Sequence, residues 1–158
     1  MEIRFAKAED VAGILALLRQ VGRVHHVGRP DLFRSNAQKY GASQVLAMLD
    51  SGKTPIFVAV EEDKVLGYGF CMFKEYKNDP VICDHTSLYI DDLCVDENCR
   101  GKGIGKAIYG EIIRYAKMRK VYNVTLNVWS CNPSAMKFYE SLGLQPQKVG
   151  METIINAD

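Results

Sequence analysis

The stretch Arg100-Gly101-Lys102-Gly103-Ile104-Gly105 sets three glycines and two cations between a strand-like apolar run, Leu88 to Val95, and a run with helical spacing through Ile104, Ala107, Ile108, Ile112, Tyr115 and Ala116. Such a turn suits an anion. The unpaired N–H groups of a helix N-terminus point outward, the helix dipole is positive there, and glycine lets a ligand come close to the backbone. Spacing excludes two nucleotide motifs. A Walker A loop requires Gly, four residues and then Gly-Lys-Ser/Thr. Counting back from Gly105-Lys106 places Arg100 where the first glycine belongs and Ala107 where the hydroxyl belongs. The dinucleotide pattern Gly-x-Gly-x-x-Gly also fails, because Gly101 and Gly103 lead to Lys106, and Gly103 and Gly105 lead to Ile108.

Two further groups carry chemistry. Asp91 and Asp92 stand side by side inside the apolar run before the glycines, where strand propensity disfavours acids. Alternation puts Asp91 on the face of Tyr89 and Leu93, and Asp92 on the face of Ile90 and Cys94, so at most one faces a common site unless a bulge intervenes. Downstream, Asn132 to Gly143 reads as a short helix: Asn132 is a good N-cap, Pro133 suits the first helical position and Gly143 can take the left-handed conformation that ends it. It carries Tyr139. That tyrosine either packs on the apolar face beside Phe138 and Leu142 or serves a reaction.

The elements that must position these residues alternate between strands and helices. A strand over Glu2 to Ala6 precedes a helix whose Val11, Ile14, Leu15, Leu18 and Val21 form one stripe. His25 to Thr54 is less regular, with a turn or helix start at Pro30-Asp31 and a helix suggested by Val45, Leu46 and Leu49. Ile56 to Val60 and Val65 to Lys74 read as a hairpin around Glu61 to Lys64, a long strand ends at Val95, another spans Asn123 to Trp129, and a last one covers Gln147 to Ile155. No repeat or linker interrupts the chain, so residues 1–158 are expected to form a single domain.

With 158 residues, 47% hydrophobic and 25% charged, the chain can bury a full core. Its formal net charge of +1, with cations and acids interspersed, argues against nucleic acid as a partner. No apolar run approaches membrane-spanning length and Met1 to Phe5 lacks a signal-peptide core, so a cytoplasmic protein with no membrane partner is expected. Five cysteines without a pairing pattern fit reduced thiols, and the near neighbours Cys83 and His85 lack the second ligand pair of a zinc site, so no metal is expected.

Arg100, Gly103 and Gly105 meet the pattern Arg/Gln-x-x-Gly-x-Gly/Ala, and Asn132 and Tyr139 stand at the spacing of a second signature region; in both respects the chain resembles the GNAT N-acetyltransferase superfamily. The resemblance runs from Ile3 to about Ile155. It implies an α/β (α+β) acyl-CoA N-acyltransferase fold: a mixed, mostly antiparallel sheet of six to seven strands, helices on both faces, and fourth and fifth strands splayed apart. It further implies acetyl-CoA as co-substrate. Backbone groups of Leu93, Cys94 and Val95 would bind pantetheine, with the Leu93 N–H a donor to the thioester oxygen. Arg100, Gly101, Lys102, Gly103, Ile104, Gly105 and Lys106 would cradle the pyrophosphate, and Asn132 would orient the cofactor.

The implied activity is transfer of an acetyl group to a primary amine by direct attack in a ternary complex. An alkylammonium must lose its proton before attack, and a carboxylate near the acceptor can orient it and take that proton, directly or through water. Asp91 is favoured as that base, matching a Glu of polyamine-type relatives, with Asp92 as a substrate contact, and Tyr139 would give a proton to the CoA sulfur. Cys94 beside the thioester offers a ping-pong route, against which stands its expected burial as an inert strand cysteine. His25, Arg29 and Phe33 are candidate acceptor contacts, along with His26 and Asp31; the histidines otherwise read as loop residues and Arg29-Pro30-Asp31 as a turn. The acceptor class spans small-molecule amines, polyamines, aminoglycosides and peptide amines. A non-catalytic acetyl-CoA sensor is the competing reading, and it leaves Tyr139 and the strand acids without purpose. Exposed strand edges in such folds often pair, so a homodimer is among the expected assemblies.

Overall fold

The computed structural model describes residues 1–155. Strand β1 (Glu2–Phe5) leads through a single 3-10 turn into helix α1 (Val11–Gly28), and a loop connects this to α2 (Ala42–Ser51). Then follow β2 (Ile56–Glu61), β3 (Lys64–Tyr76), β4 (His85–Val95), α3 (Ile104–Met118), β5 (Asn123–Leu126) and α4 (Pro133–Ser141). The strands lie in the order β1-β2-β3-β4-β5, antiparallel except for β4 and β5, which run parallel.

Period-two patterning explains why helices cover both faces. In β2 the side chains of Ile56, Val58 and Val60 enter a core with Ile14, Leu17 and Leu18 of α1 and Val45 of α2, whereas Phe57 and Ala59 enter a second core with Ile108, Ile112 and Tyr115 of α3. The expected β2–β3 hairpin forms. Glu62 and Asp63 both take positive φ, 48° and 61°, the left-handed pair that lets a two-residue turn match the twist of its strands.

Two expectations are corrected. The sheet has five strands among the described residues rather than six to seven, because Gln147 to Ile155 forms no strand. Val149, Met151 and Ile155 are 74%, 88% and 84% exposed there, and strand preference is realised only against a neighbouring strand and a packed face. His25 and His26 are also not loop residues: α1 runs on to Gly28 and ends at Arg29, whose backbone (φ −145°, ψ 73°) leaves the helical region that the following Pro30 disfavours.

Candidate active site

β4 is the axis of the site. Its pairing with β5 covers only Ser87 to Ile90 against Asn123 to Leu126, and β4 then continues five residues further with no strand on that side among the described residues. The two strands therefore part at Ile90. On its other side β4 stays paired with β3 down to Gly67↔Val95, and the Asp96 N–H donates to Leu66 O. Alternation then turns the backbone groups of Cys94 toward β3 and those of Leu93 and Val95 into the open gap.

At the parting point the strand bulges. Phe70 pairs with Asp92 while the next residue, Cys71, pairs with Ile90, so Asp91 is the extra residue. The bulge changes which residues share a face. Ile90 packs on the α3 side, yet Asp92 and Cys94 lie on the α1 side, where Asp92 Oδ2 accepts from the Tyr68 hydroxyl at 2.9 Å. Asp91 joins them there: its Oδ2 accepts from the Tyr40 hydroxyl at 2.5 Å and pairs with Lys39 Nζ at 2.8 Å. Both acids thus share one face, the outcome that regular alternation forbids.

Their environments differ. Burial raises the Asp92 carboxyl above the ordinary carboxylate range, assisted by the charge of Asp91 and opposed by the Tyr68 hydrogen bond and by Lys39. Asp91 instead holds a cation and a phenol. The same burial pushes the Cys94 thiol up to about 12, and its Sγ lies 3.8 Å from Leu17 O within the core. Cys94 is therefore a core thiol whose ionisation burial opposes.

The loop between α1 and α2 forms the wall beside these acids. The Lys39 ammonium reaches the Asp91 carbonyl at 3.0 Å as well as its carboxylate, and the Tyr40 ring packs 5.4 Å from that of Phe70. His25 stacks on Phe33 at 5.0 Å, and Phe33 meets Trp129, from the segment after β5, edge to face at 5.0 Å. Burial and the nearby Lys39 charge lower the His25 pKa, so its imidazole is neutral at pH 7. His26 holds the loop through Nδ1 and the Phe33 carbonyl at 2.7 Å. Arg29 directs its guanidinium at Asp31, with Nη2 2.8 Å from Oδ2, and at Glu152, fastening the carboxy-terminal segment to the loop.

The glycine turn opens α3 as the sequence predicts. Gly101 and Gly103 both adopt left-handed φ, 77° and 78°, and Gly103 is the N-cap. A Cβ at either would meet nothing within 4 Å, so the approach to the turn is clear. Arg100, Lys102 and Lys106 are exposed, and none of the ion pairs among the described residues involves them. Ile104 is buried in the α3-side core.

Gly105 has a different task. A Cβ there would meet the Phe138 ring of α4 at 3.0 Å, so its absence lets α4 close on the start of α3. α4 itself is capped as expected: Asn132 Oδ1 accepts from the Ala135 N–H at 3.1 Å, Pro133 is the first helical residue and Gly143 takes φ of 89°. The Tyr139 ring lies 5.1 Å from that of Phe138. Burial raises the Tyr139 pKa further above its normal 10.0, with contributions from Asp92, Cys94 and Tyr109, which keeps the phenol protonated. The tyrosine thus looks onto the same part of β4 as the acids.

An α/β domain whose sheet opens between a parallel pair of strands, beside a glycine-rich helix start, is the frame of this site. The acetyltransferase (GNAT) family model matches residues 24–144, and the chain belongs to that family. A mutant of the BH1408 protein from Bacillus halodurans has the same fold with a TM-score of 0.93 at 36% identity, over 98% of this chain and 99% of that one. N-acetylaspartate synthetase of Xenopus tropicalis is 32% identical over 89 residues, 56% of this chain and 30% of that protein. Spermine/spermidine N(1)-acetyltransferase of Bacillus subtilis is 27% identical over 92 residues, 58% of this chain and 59% of its own. The chain thus spans less than two thirds of the length of these curated relatives.

Lys39, Tyr40, Tyr68 and Trp129 are the residues that sequence reasoning missed. Tyr40 and Asp91 are 51 positions apart, and only the folded loop brings them together. Among the described residues no helix is long and apolar enough to cross a membrane, and no group of three His, Cys, Asp or Glu side chains could hold a metal ion.

Proposed function

We propose that this chain is an N-acetyltransferase that moves an acetyl group from acetyl-CoA to a primary amine by direct attack in a ternary complex. The observation that carries the reading is the bulge at Asp91, which sets two acids on one face at the point where β4 and β5 part. The residues present fit a CoA molecule. Clear space above Gly101 and Gly103, three unpaired cations around them, and a free β4 edge together suit a pyrophosphate and an extended amide-bearing arm.

Acetyl-CoA, when bound, supplies the activated acyl group and a thiolate leaving group. The N–H groups from Gly101 to Lys106 hold its pyrophosphate with help from Arg100 and Lys102, while Leu93 and Val95 pair with the pantetheine amides. The Leu93 N–H donates to the thioester oxygen and stabilises the negative charge that develops on it. Asn132 fixes the start of α4 beside the cofactor.

We assign proton acceptance to Asp92 and orientation of the acceptor ammonium to Asp91, exchanging the weight that the sequence gives them. A carboxyl whose pKa is raised toward neutrality is the better base, and Asp91 already carries a cation-binding arrangement. Tyr139 holds the proton that the departing sulfur requires. Burial of the Cys94 thiol, which raises its pKa, supports direct attack over a ping-pong route.

His25, Phe33 and Trp129 form an aromatic wall for the acceptor, with Arg29 and Asp31 bracing the loop behind it. A spermine/spermidine acetyltransferase among the relatives supports an amine acceptor. Five free cysteines agree with a cytoplasmic location. Thiol release from acetyl-CoA across a panel of small amines and peptide amines tests the reading. Amine-dependent release supports it, whereas tight CoA binding without release by any amine favours a sensor.

A further inference from the structure

We propose that Lys39 is a self-acetylation site: with acetyl-CoA bound and no acceptor present, its ε-amine takes the acetyl group. The proposal rests on the acetyl-transfer reading above and adds a substrate held within the chain itself. Lys39 Nζ lies 2.8 Å from Asp91 Oδ2 and 3.0 Å from Asp91 O, the place that an acceptor ammonium would occupy. Its charge also acts on Asp92. Among the described residues it is the lysine that forms an ion pair with either strand acid.

The main chain at Lys39 is anchored, and its amine is carried on a half-exposed side chain. Tyr40, next in sequence, is fixed by its hydroxyl on Asp91 and its ring on Phe70, and Gln38 Nε2 donates to the Tyr40 carbonyl at 2.7 Å. The Lys39 side chain is 45% exposed against 12% for Asp91, and its four-carbon stem is flexible. An amine tethered this way competes at high effective concentration with any amine from solution.

The step balances. Asp92 takes one proton from the Lys39 ammonium, and the freed Nζ electron pair forms a bond to the acetyl carbonyl carbon. The carbon–sulfur bond breaks with its electron pair passing to sulfur, Tyr139 gives sulfur a proton, the surplus proton on nitrogen leaves to solvent, and the proton held by Asp92 returns through solvent to the Tyr139 phenolate. The products are Nζ-acetyl-Lys39 and the CoA thiol. Acetylation removes the Lys39 charge and dissolves its pair with Asp91, leaving that carboxylate for an incoming cationic acceptor.

The test is incubation of the full chain with acetyl-CoA alone, followed by peptide-resolved mass spectrometry over time. Lys39 is expected to be acetylated first, at an initial rate roughly tenfold or more above any other lysine. The rate should not depend on protein concentration, and Tyr139→Phe, checked for folding by circular dichroism, should slow it about a hundredfold. Uniform acetylation of exposed lysines such as Lys53 and Lys102, or an unchanged rate in Tyr139→Phe, overturns the proposal. If added amines cause thiol release while Lys39 stays unmodified, self-acetylation falls and the enzyme reading stands. If neither occurs, both fall.

Discussion

Replacing Gly105 by alanine adds one methyl group at the junction of α3 and α4. That carbon would lie 3.0 Å from Phe138 Cζ, 3.3 Å from Cε2 and 3.5 Å from Val95 Cγ2. Comfortable carbon contacts fall at about 3.5–4.0 Å, so the Phe138 ring must withdraw by roughly 0.5 Å. Overpacking of this kind costs about 1–3 kcal/mol, and the better helix propensity of alanine returns up to about 1 kcal/mol, leaving a net loss of about 0–3 kcal/mol. The larger effect is on chemistry. Phe138 and Tyr139 are adjacent on the short helix α4, so displacing the ring moves the phenol, and sub-ångström misplacement of a proton donor should lower kcat about tenfold. The added methyl group faces α4 rather than the anion cradle, so the KM for acetyl-CoA should change less than about threefold. Thermal unfolding and steady-state thiol release measure the two effects separately. A wild-type kcat in a variant with a lowered melting temperature would refute the idea that this contact positions Tyr139.

Gly103→Ala forces a side chain into left-handed backbone at φ 78°, a strain of about 1–2 kcal/mol, so CoA affinity by calorimetry should fall about tenfold; unchanged affinity would exclude a role for the turn in binding. Asp92→Asn should lower kcat about a hundredfold. The wild-type rate should rise with pH as Asp92 deprotonates, and because burial raises its pKa this limb lies above the usual 3.8; a profile that keeps the limb in Asp92→Asn would transfer the role elsewhere. Asp10, 4% exposed, receives Arg4 Nη1 at 2.7 Å, Arg4 Nη2 at 3.0 Å and the Lys7 N–H at 2.7 Å. Burial alone would raise its pKa, and these donors outweigh that and lower it. Its stabilisation is therefore full above pH 3.8 and lost as pH falls through the lower folded value; Asp10→Asn should cost about 3 kcal/mol in urea unfolding at pH 7 and little at low pH.

What the chain declares in sequence is mostly local. Gly103, Asn132, Pro133 and Gly143 each act through backbone geometry within a few residues, and α3 and α4 begin or end where those residues predict. Helices on both faces of the sheet were implied by the family resemblance alone, and β2 shows why they form, since its alternate side chains enter both cores. The arrangement of the acids is different. Whether Asp91 and Asp92 share a face depends on a register shift against Phe70 and Cys71, which no pattern within β4 records. Lys39 and Tyr40 were illegible for a related reason, since their partner Asp91 lies 52 and 51 positions away in sequence. Gln147 to Ile155 shows the opposite failure: its alternation is strand-like, yet alternation cannot supply a neighbouring edge.

The most direct test of acetyl transfer through this site compares Tyr139→Phe with wild type in thiol release from acetyl-CoA, using the best amine of the panel. The account predicts a kcat about a hundredfold lower with acetyl-CoA affinity essentially unchanged. A wild-type kcat in Tyr139→Phe, or an acetyl group trapped on Cys94 during turnover, would contradict it.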